Sequence, residues 1–235
     1  MAANLGAIRT KLLARLQDDA AKLTNPGELD AAIASALERY SKDRPRQVVA
    51  QVDGDGGFSY ATSGLTGWVD GFSGILDLIY PYLSTDQQPK ALDRDRYLVR
   101  RLPAGTVLHF IEHTPAAAED FLVEYTVPHT LDADSSTVPA SDDEALADLS
   151  AAEAFDYLAA VSLQELQSNI DADTVDRLSK AGEYRQQAAA FRKKYEAKIG
   201  STADQPVPAA AYAEADLAFG DSRASDRFFH ARDRF

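Results

Sequence analysis

The sequence predicts an α+β protein: a four-helix core built from two N-terminal and two C-terminal helices, an inserted antiparallel β subdomain, and an extended C-terminal tail. Three observations predict it. Apolar residues recur at three-to-four spacing from Leu5 to Tyr40 and again from Leu146 to Ile199. Between residues 46 and 128 the pattern changes to short strand-like runs separated by turn residues. After Gly200 no period holds. The boundaries therefore fall at 1–45 (helical hairpin), 46–128 (β-rich insertion), 129–200 (helix pair completing the core) and 201–235 (tail).

In the first helix the stripe is Leu5, Ile8, Leu12, Leu16, Ala20 and Leu23, with Arg9, Lys11, Asp18 and Asp19 off it. Asn25-Pro26-Gly27-Glu28 restarts the chain: Asn25 can cap, Pro26 suits the first helical position, and Glu28 stands where a capping-box carboxylate reaches back. Leu29, Ile33, Ala36 and Tyr40 form the second stripe, and Arg44 before Pro45 disfavours further helix.

In the insertion, Val48 to Val52 is strand-like, and Asp53-Gly54-Asp55-Gly56-Gly57 predicts a tight hairpin turn to Phe58-Ser59-Tyr60. A strand from Ile75 is expected to end at Pro81. Tyr97 to Arg100 leads into a type I turn at Leu102-Pro103-Ala104-Gly105. Thr106 to Ile111 and Phe121 to Val127 read as paired antiparallel strands.

Ser141-Asp142-Asp143-Glu144 is a capping-box signature before Leu146, Leu149, Ala152, Phe155, Ala159, Leu163 and Leu166. Leu158 and Val161 lie off that stripe, so this helix is apolar on more than one face and should be buried, within the subunit or against a neighbour. Asp173 can cap the last helix, whose stripe is Val175, Leu178, Ala181, Ala188, Phe191, Tyr195 and Ile199. Lys193, Lys194 and Lys198 stand near its C-terminus, and Gly200 closes it. Residues 201–218 are poor in large apolar groups, whereas 219–235 hold four Phe and four Arg, the residue types with which segments anchor when they order on a partner. The alternative is a tail folding back on its own domain.

Composition narrows the function. With 45% hydrophobic and 26% charged residues the chain can build a core; with no Cys it has no disulfide, thiolate metal site or cysteine nucleophile. The N-terminus does not read as a secretory signal, and no stretch reads as a transmembrane helix. The net charge of −13 argues against gripping nucleic acid through the bulk field.

The Asp-Gly run lacks the distal Glu of a calcium loop. His109, His113, His129 and His230 show no pair at helical metal spacing, so no metal or cofactor is expected. Ser73, in Gly71-Phe72-Ser73-Gly74, misses the nucleophile-elbow pattern by one residue. With no phosphate-cradling loop either, an enzyme is not expected. One charge feature stands out: Thr130 to Asp176 contains twelve carboxylates and no Lys or Arg, and a solvated acidic face is its ordinary explanation.

In order and spacing, the chain resembles the head–tail connector (adaptor, or head-completion) proteins of tailed bacteriophages. The resemblance lies in Ala36 to Arg46 closing the second helix; in Trp68 with Gly71-Phe72-Ser73 and Ile79-Tyr80-Pro81; in Val127-Pro128-His129-Thr130-Leu131 with Ser136-Thr137-Val138-Pro139 and Asp143-Glu144; and in Ala172 to Val175 with Asp176. It covers residues 5 to 200, and the tail matches no motif of that family.

The resemblance implies a virion protein of the neck, assembled in the host cytoplasm. A dodecameric ring of neighbouring copies would dock beneath the portal protein, extend the DNA channel and meet the next tail or neck component. Double-stranded DNA would pass through without specific binding, and no membrane is involved. It further implies that the C-terminal segment docks on the portal, here through Phe219, Arg227, Phe228, Phe229, Arg232, Arg234 and Phe235. Because DNA carries about one negative charge per 1.7 Å of axis, an acidic wall would let it slide. Asp142, Asp143, Asp148 and Asp156 are the expected channel-lining carboxylates. The free protein is expected to be monomeric until the portal templates a ring. The other readings are a neck or tail-completion protein docking elsewhere in the stack, and a cytoplasmic helical interaction module.

Overall fold

A computed structural model describes residues 3–17, 23, 25–82, 91–111, 114–117, 119–168 and 174–199. Among them are helices α1 (Leu5–Leu16), α2 (Pro26–Asp43), α3 (Asp143–Ser168) and α4 (Thr174–Ile199). The strands are β1 (Arg46–Asp53), β2 (Ser59–Ala61), β3 (Ile75–Tyr82), β4 (Tyr97–Leu102), β5 (Gly105–Phe110) and β6 (Asp120–Val127). The architecture is α+β, with the antiparallel sheets inserted between the two helix pairs.

Asn4 caps α1 by accepting the Ala7 N–H at 2.9 Å, and Ile8, Leu12 and Leu16 form its buried stripe. The helix ends at Leu16, where Gln17 takes a positive φ of 49°, and residues 18–22 of the expected stripe lie outside the described residues. Leu23 is buried nonetheless; Ala20 lies outside the described residues. Asn25 caps α2 through the Gly27 N–H at 3.0 Å, and α2 ends at Asp43, just before Arg44-Pro45. The expected capping box with Glu28 does not form. Glu28 instead accepts the Tyr157 hydroxyl at 3.1 Å, tying α2 to α3.

Helix α3 is the centre of the helical body, touching α1, α2 and α4. That is why it is apolar on several faces: Leu146, Leu149, Phe155, Leu158 and Ala159 are buried within this one chain. Small residues let its neighbours approach, and Phe155 stacks on Tyr184 and Phe191 of α4 at 6.0 and 5.8 Å. The α3 start also differs from expectation. The Asp142 carbonyl accepts the Leu146 N–H, while Glu144 reaches Lys11 and Arg15 of α1 instead of turning back on Ser141. Asp173 and Gly200 lie outside the described residues.

The strands form two three-stranded sheets, β1-β6-β3 and β2-β5-β4. Two expected pairings are thereby corrected. The first strand pairs β6 over its whole length, Arg46 opposite Val127 and Asp53 opposite Asp120, so Asp53–Gly57 is no hairpin turn. It is a crossover from one sheet to the other. Gly54 donates to Glu119 O and Gly56 to Pro115 O, both at 2.9 Å. A Cβ on Gly54 would stand 2.5 Å from two carbonyl oxygens, so a close backbone approach requires that glycine.

The second correction concerns β5 and β6, which pair not with each other but with different sheets. Their inner faces meet instead, Phe110 edge-on to Phe121 at 5.2 Å, with Tyr60 against both rings. Leu78, Leu108, Phe110, Phe121, Val123 and Tyr125 make this a sandwich core, separate from the helical one. Strand β3 runs on through Pro81 to Tyr82, tolerable because β3 is an edge strand whose register shifts there. The β4–β5 connection falls where expected, at Pro103-Ala104, with Gly105 at φ 127°.

Candidate functional site

The chain enters the sandwich at Arg46 and leaves it at Val127, directly opposite in register, so both crossings share one joint. There Tyr40 and Arg44, from the end of α2, converge on Asp142 at the start of α3. Asp142 Oδ2 accepts the Tyr40 hydroxyl and Arg44 Nη1, each at 2.7 Å, and its Oδ1 accepts the Ser141 hydroxyl at 2.9 Å. Burial alone would raise the Asp142 pKa, but these three donors outweigh it and hold the carboxyl below its ordinary range. Tyr40 is correspondingly pushed up, by burial first and by the carboxylate second.

His129, just past β6, closes the joint. Its backbone N–H donates to the Ser41 hydroxyl at 3.0 Å, and its ring lies 5.1 Å from that of Tyr40. Nε2 is 3.0 Å from Arg44 O; Nδ1 is 2.9 Å from Thr137 O and 3.2 Å from the Thr137 hydroxyl. Burial pushes the imidazole pKa down, against hydrogen bonds that favour the charged ring. Both ring nitrogens face carbonyl oxygens, Arg44 O and Thr137 O, so the charged ring can donate to both whereas a neutral ring satisfies only one. A cavity of about 360 Å³ opens beside it, walled by Tyr40, Pro45, Arg46, His129 and Pro139. The site is a clamp holding two bodies together.

The four expected channel-lining carboxylates lie elsewhere than on a free acidic wall. Asp142, Asp143 and Asp148 are buried, at 6%, 6% and 3% exposure. Asp143 accepts the Ala3 N–H at 3.1 Å and has Lys11 Nζ at 3.9 Å. Asp148 is held by Arg15 Nε and Lys198 Nζ, both at 2.6 Å. Asp156, partly exposed, pairs with Arg192, which also reaches Glu153. The correction has a plain cause: buried carboxylates need partners, and the partners come from α1, α2 and α4, outside the cation-free run. Glu144 belongs to the same network. Hydrogen bonds from Lys11 and Arg15 pull its pKa down to about 2.

Other candidates are quickly placed. Phe219, Arg227, Phe228, Phe229, Arg232, Arg234 and Phe235 lie outside the described residues, as do His113 and His230. Ser73 accepts the Val69 N–H at 2.9 Å. The Ser59 hydroxyl meets His109 Nδ1 at 2.8 Å on an open sheet face, and among the described residues no carboxylate is bonded to that ring. The Asp55 carboxylate accepts the Gly57 N–H at 2.7 Å. Among the described residues no cluster of three His, Asp or Glu could hold a metal, and no helix is long and apolar enough to cross a membrane. Arg15, Arg44 and His129 escaped sequence reasoning. Lys11 and Arg15, four apart on α1, were a signal available for the first; nothing local marks the other two.

Known protein families offer no match to the chain, and no curated protein is similar to it.

Proposed function

We propose that the protein is a structural adaptor of a tailed-bacteriophage neck. It assembles as a ring beneath the portal protein, extends the DNA channel and connects capsid to tail. The observation carrying this reading is the layout of the chain. A helical body and a sandwich are joined through the clamp of Tyr40, Arg44, His129 and Asp142, and a 36-residue segment with a Phe/Arg-rich end follows α4. That layout suits a part that passes force and position between larger partners. It holds no assembled catalytic constellation among its described residues.

The net charge of −13 fits a component that meets DNA without holding it, since basic patches would bind the backbone by releasing counterions. Asp142, Asp143, Glu144, Asp148, Glu153 and Asp156 are spent on internal pairing, so the surplus charge comes from other positions.

The test is electron microscopy of the full chain mixed with the portal protein of the same particle. Ring-shaped density on the portal is expected, and its loss on deleting residues 219–235. Portals that stay bare with the full chain overturn the adaptor reading; decoration that survives the deletion overturns the role of the tail.

A further inference from the structure

The two outer faces of the sandwich differ in a way that no contact among the described residues explains. On the β2-β5-β4 sheet, Leu98, Arg100 and Leu102 sit in register with His109, Val107 and Gly105; between them Val99 and Arg101 are exposed too, and only Tyr97 of this strand is buried. Leu98 is 41% exposed and Leu102 49%; Ile111, two residues beyond His109, is 44% exposed, and Phe58, its ring 6.4 Å from that of His109, is 54% exposed. Several large apolar side chains gathered on one sheet face mark an interaction surface. None of the outward strand positions of this sheet is acidic, and Arg100 forms no ion pair among the described residues.

The opposite face, on the β1-β6-β3 sheet, carries Val49, 58% exposed, and Leu122 among acids. Asp77 stands directly across from Glu124, and neither has a cation beside it among the described residues. Like charges paired across strands cost stability unless something neutralises them. An arginine from outside would do so, and the apolar residues around each site would be covered in the same contact.

We propose that these faces are the two halves of one self-association contact. The face centred on Leu98, Arg100 and Leu102 packs on the face centred on Val49, Leu122 and Glu124 of a second copy of this chain. Because the halves lie on opposite sides of one sandwich, each copy presents one of each. The contact is heterologous, and it propagates into a closed ring or an open filament. This deepens the ring reading above, on which it rests for closure, yet the contact itself can be tested without a portal.

The chain has no Cys, which gives a clean background for cross-linking. The full chain carrying Leu98→Cys and Val49→Cys together, concentrated and treated with a flexible bis-maleimide, should give a ladder of dimers, trimers and higher species. Either cysteine alone should leave monomer. Adding Arg100→Glu to the double-cysteine chain should cut the ladder at least tenfold, and adding Glu124→Lys to that should restore it. No ladder, or equal dimer from a single cysteine (a face meeting itself), overturns the proposal. A ladder insensitive to Arg100→Glu overturns the charge pairing. The outcomes separate from those of the adaptor reading. A ladder with bare portals leaves the contact and removes the adaptor; decorated portals without a ladder do the reverse.

Discussion

In the helical body, Asp142, Asp143, Asp148 and Glu144 each meet a donor or cation from another element. In the sandwich, Asp77 faces Glu124 and Arg100 lies on the far face, and among the described residues none of the three forms an ion pair. The difference teaches what each set of charges is for. A buried carboxylate with two donors fixes how helices dock, since leaving it unpaired is costly. An exposed charge without a partner contributes little to its own fold and is free to choose a neighbour. The helical body spends these four charges on architecture, and the proposed contact would use Asp77, Glu124 and Arg100 of the sandwich.

The sharpest way to break this comparison is to damage the sandwich core alone. Phe110→Ala removes a fully buried ring that touches Tyr60, Tyr80 and Phe121, and should cost about 3–5 kcal/mol. The single Trp, Trp68, packs 5.9 Å from Tyr125 in that core, so its fluorescence reports the sandwich while far-ultraviolet circular dichroism reports the helices. In urea the Trp68 transition should move well ahead of the helical one. If both move together, the two bodies unfold as one and the regions are not separable.

Asp148→Asn is the matching experiment in the helical body. It leaves Arg15 and Lys198 around a neutral amide, and about 3 kcal/mol should be lost. Here the helical transition should shift and the Trp68 transition should lag. A loss under about 1 kcal/mol would mean that the pairing is no more than a surface salt bridge.

These residues also show what was legible in the sequence. Helical periodicity placed α1 to α3 because a stripe at three-to-four spacing has only one good way to bury itself. Short strand-like runs between turn residues located the strands, but not their partners. Alternation says which side chains share a face, and says nothing about which strand lies alongside; hence Asp53–Gly57 looks like a hairpin in sequence, whereas Gly54 makes a close approach to Ala116 and Glu119. The acidic run misled for the same reason. Charge counted along the chain cannot see Arg15 or Lys11, which reach Asp148 and Glu144 across more than a hundred residues. His129 was invisible as a clamp because its partners, Ser41 and Arg44, belong to the other end of the core.

Acid should expose the same division more gently. Glu144 has a folded pKa near 2, below its ordinary 4.5, because Lys11 and Arg15 bond its charged form. A depressed carboxylate contributes stability that is present above the unfolded value. That contribution is lost as the pH falls from 4.5 through 2. Asp142, also depressed, acts in the same direction. His129 adds to it, since its lowered pKa means the folded state resists the proton that the unfolded chain accepts. Glu144→Gln should therefore cost about 1 kcal/mol at neutral pH and flatten the helical loss between pH 4.5 and 2. An unchanged acid profile would mean the α1–α3 pairs add nothing in solution.

The smallest expected effect on stability tests the other half of the comparison. Arg100→Glu removes a cation that has no ion-pair partner among the described residues and sits on an exposed edge strand. Urea midpoints followed by Trp68 and by helical dichroism should both stay within about 0.5 kcal/mol of the parent. The same substitution should nevertheless act strongly on association, because a like charge brought against Glu124 of a neighbour repels where the arginine attracted. A stability loss above about 1 kcal/mol would show that Arg100 already has work inside its own chain. The line between charges that build the fold and charges that leave it would then have to be redrawn through the sandwich itself.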